Sequence, residues 1–214
     1  MCVKLDTTGL QTDVTYAILR GDTGAEAGRE RCCLYRRVDG GHWMTSELVL
    51  TRPPPLEQYV EIHAGTDWHI ESVVVRWSGS LRRDATHVAE GDLWRATIQT
   101  DEATLERQVP LGRETLVEFD SVWPYTIALN RLQLSPGQSR EVDVIRIESP
   151  SLEPVRARLR YKCIGPERIT TPAGKKNAVH VVCGLYHLWA DSRGIILATH
   201  NAVSRSLLEC RWFG

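Results

Sequence analysis

Alternation of apolar and polar positions dominates this chain and predicts strands along most of its length. The clearest case is Val155–Cys163. Val155, Ala157, Leu159, Tyr161 and Cys163 share one parity there, and Arg156, Arg158, Arg160 and Lys162 share the other. That is the period of two of a strand with one face covered. Similar runs predict strands at Val14–Arg20, Arg31–Val38, His42–Thr51, Tyr59–His63, Leu93–Gln99, Leu105–Pro110, Thr115–Phe119 and Arg140–Glu148. Four more follow at Ala178–Cys183, Leu185–Trp189, Ile195–Thr199 and Val203–Trp212. In Trp68–Ser78, the residues His69, Glu71, Val73, Val75 and Trp77 fall on one face and Trp68, Ile70, Ser72, Val74 and Arg76 on the other, so both faces are expected to be partly covered.

Turn chemistry separates these runs. Asp39-Gly40-Gly41 and Asp191-Ser192-Arg193-Gly194 read as hairpin connections, and Arg52-Pro53-Pro54-Pro55 withholds the amide donors a ladder needs. Residues 1–14 read as frayed. No stretch of twelve or more residues shows an apolar period of 3.6. The expectation is one all-β domain over residues 1–214.

Phe119–Ser139, FDSVWPYTIALNRLQLSPGQS, does not fit the alternation. Proline disfavours the helical region for the residue before it, which predicts an extended backbone at Trp123-Pro124-Tyr125. Ile127, Leu129, Leu132 and Leu134 supply apolar anchors, and Ser135-Pro136-Gly137 reads as a turn. A connection of this length with two aromatics is expected to lie across the mouth or floor of a β structure.

Composition narrows the function classes. An apolar fraction of 42% with 25% charged residues supports a sizeable core. A net charge of −1 removes the electrostatic argument for nucleic acid or an anionic membrane as partner. No apolar run reaches the ~18 residues of a membrane span. The first residues, MCVKLDTTGLQTDV, lack the apolar core of a secretory signal. The six cysteines include no CxxC pair, and Cys32, Cys163, Cys183 and Cys210 sit in apolar strands, as free buried thiols do. A reduced, cytoplasmic protein is the expectation.

Candidate chemistry is sparse. Glycine-rich nucleotide loops and the GxSxG elbow are absent, so no cofactor is expected. Seven histidines show no zinc spacing, so no metal is expected. His187 stands out because it shares a strand face with Trp189 and Asp191. The cationic row Arg156, Arg158, Arg160 and Lys162 reads as the outer face of a strand. Seven tryptophans against two phenylalanines favour indole-lined surfaces. Trp77, Trp94 and Trp189 would build either a core or the walls of an apolar pocket. Asp120, Tyr125, Asn130 and Arg131 are the polar groups that would orient a ligand there. A buried acid among aromatics would carry a raised pKa, which makes Asp120, Tyr125 and His187 the catalytic candidates.

The order of motifs is distinctive: Asp67-Trp68 heading a strand, Gly91–Trp94, the FDSVWPYTIALNRLQLSPGQS stretch, a YKCIG strand end, and WADSRGIIL at Trp189–Leu197. Over residues 59–212 this resembles the glycolipid-binding family. Asp120, Thr126, Asn130-Arg131-Leu132 and Asp191–Ile195 occupy places comparable to that family's acidic strand end, Pro/Thr/Asn stretch, Arg-Leu step and D-x-x-G hairpin. Ser-Val-Trp-Pro-Tyr-Thr replaces the usual Ser-Pro-x-Thr-Asn, and Asn130 stands where a second arginine is usual. ITTPAGKKNAVHV followed by YHLWAD is also similar to the half-barrels of lipoprotein-localisation factors. The resemblance implies a curved antiparallel sheet closing into a spiral β-roll or half-barrel with an apolar concavity. The function it implies is binding of a lipid-like or other hydrophobic small molecule in a Trp-lined cavity. An enzyme (cyclase, isomerase or hydrolase) using the same cavity, and a protein-interaction module without ligand, are the competing readings. A homodimer is one assembly the sequence allows.

Overall fold

A computed structural model describes residues 7–19, 23, 25–51, 55–79, 82–172, 174–201 and 207–211. The described residues form one fifteen-stranded sheet and one helix. Strands β1 (Thr7–Leu19), β2 (Glu26–Arg37), β3 (His42–Leu50), β4 (Leu56–Ala64), β5 (Ile70–Ser78), β6 (Arg83–Glu90), β7 (Leu93–Thr100) and β8 (Thr104–Pro110) run as an antiparallel meander. β9 (Leu116–Glu118) and helix α1 (Trp123–Leu132) follow. A second meander then runs through β10 (Ser139–Glu148), β11 (Glu153–Thr171), β12 (Gly174–Cys183), β13 (Tyr186–Ala190), β14 (Ile196–Asn201) and β15 (Leu207–Arg211). β15 pairs with β1 and joins the two meanders, while β9 pairs parallel to β10 at the far edge. The outer strands β8 and β9 do not pair with each other among the described residues. The sheet curls without closing, and Arg107 of β8 reaches Glu153 of β11 at 2.9 Å. This is the all-β curved antiparallel sheet that the alternation and the resemblance predict.

Several elements depart from the pattern. β1 begins at Thr7 rather than Val14, and residues 1–6 lie outside the described residues, as do Arg52, Pro53, Pro54 and 202–206. β6, RDATHVAE, was not expected as a strand because charge at both ends hides its short buried centre, Ala85 and His87. In β5 the register shifts between His63 and Ala64, so Ser72 pairs with His63 and Ile70 with Ala64. The extra residue, Glu71, is a bulge. It turns Ile70 into the core beside Val73, against the simple alternation, and leaves Glu71 exposed.

The main correction concerns Trp123–Leu132, which is helical rather than extended. Pro124 lies in the first turn, where a missing amide breaks no intrahelical bond. Trp123 through Ala128 are all buried, so no polar stripe marks a period of 3.6. Gln133 ends the helix in the left-handed region at φ 45° and donates its backbone N–H to the Leu129 carbonyl.

The helix lies inside the curl. The Trp123 indole Nε1–H donates to the Thr45 carbonyl of β3 at 2.8 Å, and the Tyr125 ring packs on Tyr186 of β13 at 5.5 Å. The core formed around it takes inward residues of both meanders: Tyr16, Met44, Ile62, Val73 and Trp94 from one, Tyr161, Cys163, Val181 and Leu188 from the other. Each such large apolar side chain contributes about 1.5–3 kcal/mol on burial.

Candidate functional site

The predicted site residues fall into separate places. Trp94 is sealed in the core at 0% exposure, with its Nε1–H donated to His87 Nδ1 at 3.2 Å. Trp77 is half-buried further along β5, and its indole nitrogen has no partner among the described residues. Trp189 and His187 lie on the outer face of β13, since Leu188 and Ala190 take the core side. Tyr125 is buried, and desolvation pushes its phenol well above the ordinary range. Asp120 is exposed, and what it contributes inward is its carbonyl, which accepts from Gln58 Nε2 at 2.7 Å.

Asn130 and Arg131 act at the end of α1 as braces. Asn130 Nδ2 donates to the Arg193 carbonyl at 3.1 Å. The turn it touches is held by Asp191, whose Oδ1 accepts from the amides of Arg193 and Ile195 at 2.9 Å each. Gly194 there has φ 76°, and a Cβ would lie 2.5 Å from Asn130 Nδ2. Arg131 donates to the carbonyls of Thr115 and Arg113 at 3.0 Å each.

The buried acid that the sequence suggests at position 120 is instead Glu30, on the inner face of β2. Its Oε1 accepts from Ser46 and Ser121 hydroxyls at 2.6 Å each and from the Val122 amide at 3.4 Å. Val122 at the N-cap makes no side-chain cap bond; the Trp123 amide donates to Ser121 Oγ at 3.3 Å, and Glu30, from another strand, holds that hydroxyl and the Val122 amide. Burial raises the Glu30 pKa above the ordinary carboxyl value, against the opposing pull of these donors. The signal available in the sequence was parity: Glu30 is in phase with Cys32 and Leu34, both buried.

On the outer face, Glu167 Oε2 lies 3.2 Å from His180 Nδ1 and accepts the Trp189 indole N–H at 2.9 Å. His180 Nε2 meets His187 Nδ1 at 2.9 Å, and His200 follows on β14. Burial lowers the His180 pKa. Among the described residues no three His, Cys, Asp or Glu side chains converge to hold a metal ion. The cationic row of β11 is matched across the strand pair: Arg158 bonds Asp143 at 3.0 Å.

Three loops at one end of the first meander enclose a cleft of about 500 Å³. Gly65, Asp67 and His69 come from the β4–β5 connection, Glu71 from the bulge at the start of β5, Gly91 and Asp92 from the β6–β7 turn, and Leu111, Gly112 and Arg113 from the segment after β8. Backbone bonds join the second and third of these loops and close the first on itself. Leu111 N donates to the Asp92 carbonyl at 2.7 Å, and Gly65 N to the His69 carbonyl at 2.9 Å. Arg131 holds the third loop from behind through the two carbonyls already named. The His69 amide, 3.1 Å from Asp67 Oδ1, keeps the Asp67 carboxyl below its usual range. Burial, with Arg131 nearby, lowers the His69 pKa. Asp67 and Glu71 both border the space above Gly65, and Glu71 is tied to Arg37 at 2.6 Å. The lining thus offers carboxylate acceptors, backbone groups at glycines and one guanidinium around Leu111, which also belongs to the core. Of the predicted tryptophans, none lines it. The strings that carried the resemblance, Asp67-Trp68 and Gly91–Trp94, are the ones that build it.

Trp68 sits between the lining residues Asp67 and His69 with φ 64°, a conformation that costs a bulky residue about 1–3 kcal/mol. Its indole stacks on His42 with centroids 3.8 Å apart and planes at 18°. His42 is 4% exposed, and neither ring nitrogen has a partner among the described residues. Each such unmet buried group costs about 1–3 kcal/mol. Burial, reinforced by Arg36 and Arg37, pushes His42 down to about 4.

Among curated proteins none matches the chain. Solved structures share its fold, among them the following two. A DUF1089 family protein from Pseudomonas aeruginosa is 21% identical, with a TM-score of 0.53 over 78% of this chain and 87% of that one. A β-barrel-like protein of the domain of unknown function DUF1849 from Brucella abortus is 9% identical, with a TM-score of 0.59 over 95% of this chain and 97% of that one. The family described as "Putative glycolipid-binding" matches residues 20–205, most of the length, and the chain belongs to it.

Proposed function

We propose that this protein binds a lipid-like amphiphile and holds its polar, hydroxyl-rich head in the cleft between the three loops. The observation that carries this reading is the lining itself. Asp67, Glu71 and Asp92 supply acceptors for hydroxyl donors, and Arg113 and the glycine backbones supply donors and close approach. Leu111 gives the head an apolar contact continuous with the core. Family membership supports the same reading. Inside the curl, where the sequence suggested an apolar cavity, α1 supplies the packing. The free, buried thiols of Cys32, Cys33, Cys163 and Cys183 support placing this function in a reducing compartment.

The test is calorimetric titration of the purified protein with octyl glucoside, octyl galactoside and dodecyl maltoside below their micelle concentrations. Asp67→Asn and Asp92→Asn each lower the affinity about tenfold, the effect of losing one hydrogen bond to a charged acceptor. Absence of saturable binding to any of the three, or identical affinities in both variants, sinks the reading.

A further inference from the structure

The cleft loop carries two features that the lining does not use. Trp68 stands between two lining residues but spends its indole face on His42, at 3.8 Å. Its backbone is held in the left-handed region to do so. Beneath it, His42 is buried at the start of β3, opposite Ala64 of β4, with a donor and an acceptor both unmet. An apolar residue would fill this place in the core without leaving polar atoms unpaired. The indole covers the imidazole, so its rotation away would uncover the two unpaired His42 nitrogens beside lining residues Asp67 and His69.

We propose that Trp68 and His42 form a ring-binding subsite of the cleft, in which the indole leaves the imidazole and stacks on the apolar face of a sugar ring while His42 hydrogen-bonds its hydroxyls. This rests on the ligand-binding reading above and names the class of head group. A hydroxyl both donates and accepts, as a neutral imidazole does, so one hydroxyl pair satisfies both His42 nitrogens. The aromatic face suits the flat C–H surface of a pyranose. Charge around the cleft is close to balanced, with Asp67, Glu71 and Asp92 set against Arg113, the Arg37 paired to Glu71 and the Arg131 near His69, so no net field draws in an anionic head. The ligand class is therefore a neutral glycoside with an alkyl chain.

The experiment is nitrogen-detected NMR of the full chain labelled in histidine and tryptophan, titrated with the same three alkyl glycosides. The expected result is a saturable shift of both His42 ring nitrogens and of the Trp68 indole N–H by at least one glycoside. Trp68→Ala is expected to weaken that glycoside at least tenfold. The wild-type spectra decide the matter even where the variant folds poorly. Binding that shifts the His69 amide, in the cleft lining, and leaves the His42 ring and the Trp68 indole unmoved overturns the subsite while the cleft reading stands. Binding of none of the three glycosides removes the cleft reading, and the subsite with it.

Discussion

The Ser121 hydroxyl donates to the Glu30 carboxyl at 2.6 Å, joining the segment that enters α1 to a strand ninety-one positions earlier in the chain. Through this bond and those from Ser46 and Val122, a single side chain of β2 fixes where the helix starts. Glu30→Ala leaves two hydroxyls and an amide without their acceptor inside the core. At about 1–3 kcal/mol per unmet group, partly relieved by relaxation, a loss of roughly 3 kcal/mol is expected in urea unfolding. A loss under about 1 kcal/mol would show that α1 is positioned by packing alone.

The same residue sets a pH dependence. Its folded pKa is raised, so the folded state holds its proton more tightly than the unfolded chain. The contribution of Glu30 is fully present below the ordinary carboxyl value of 4.5 and is lost as pH rises through the folded value. The stability difference between wild type and Glu30→Gln is therefore expected to fall as pH rises above 4.5. A difference that grows with pH contradicts this placement of the proton.

His87 acts in the opposite sense. Burial pushes its imidazole from 6.5 down to about 4, and its Nδ1 lone pair accepts from Trp94. A depressed base contributes stability above its unfolded pKa and loses it as pH falls through the folded one. Between pH 6.5 and about 4, acid destabilisation of up to about 3 kcal/mol is expected from this group. Replacing His87 with Gln should flatten that part of the urea-midpoint profile, and an unchanged slope would reject the assignment.

Gly194→Ala drives a methyl into the Asn130 amide and holds an alanine at φ 76°. The expected cost is about 1–3 kcal/mol. Asn130→Gly in the same chain removes the collision but keeps the unfavourable φ, so the double variant should recover part of the loss. Strict additivity of the two changes in thermal unfolding would mean the residues do not meet.

Arg131→Met removes the two bonds that hold the Arg113 and Thr115 carbonyls behind the cleft. Alkyl-glycoside affinity should drop about tenfold, roughly one hydrogen bond's worth, with faster amide exchange confined to residues 111–115. Retained affinity would mean that the loop holds its shape without Arg131.

The strands were legible because each has one covered face. Tyr161 and Cys163 sit inward and Arg160 and Lys162 outward, as parity requires. The helix was not legible, because its first six residues are buried on every side and leave no amphipathic trace. Ile70 escaped because a bulge reverses parity without a sequence mark of its own. Asn130, Arg131, Asp191 and Gly194 were visible as motif residues, yet they brace the turn and the loop behind the cleft. The cleft was visible only as fragments, since Asp67, Asp92 and Arg113 come from three separate connections that only the folded meander brings together. Glu30 was hidden by its own strand: a carboxyl in phase with Cys32 is interpretable only once Ser121 is known to face it.

The position of β1 in the sheet has a consequence for synthesis. It lies between β2 and β15, with Thr15 paired to Arg211. β1 is made before the other strands of this sheet and gains its second neighbour only when β15 has been made. Until then β1 is an edge, and the inner face of the first meander waits for the helix that follows it. Native pairing of the two meanders thus waits for β15, and until then the growing polypeptide must keep an unpaired strand from partners of its own kind.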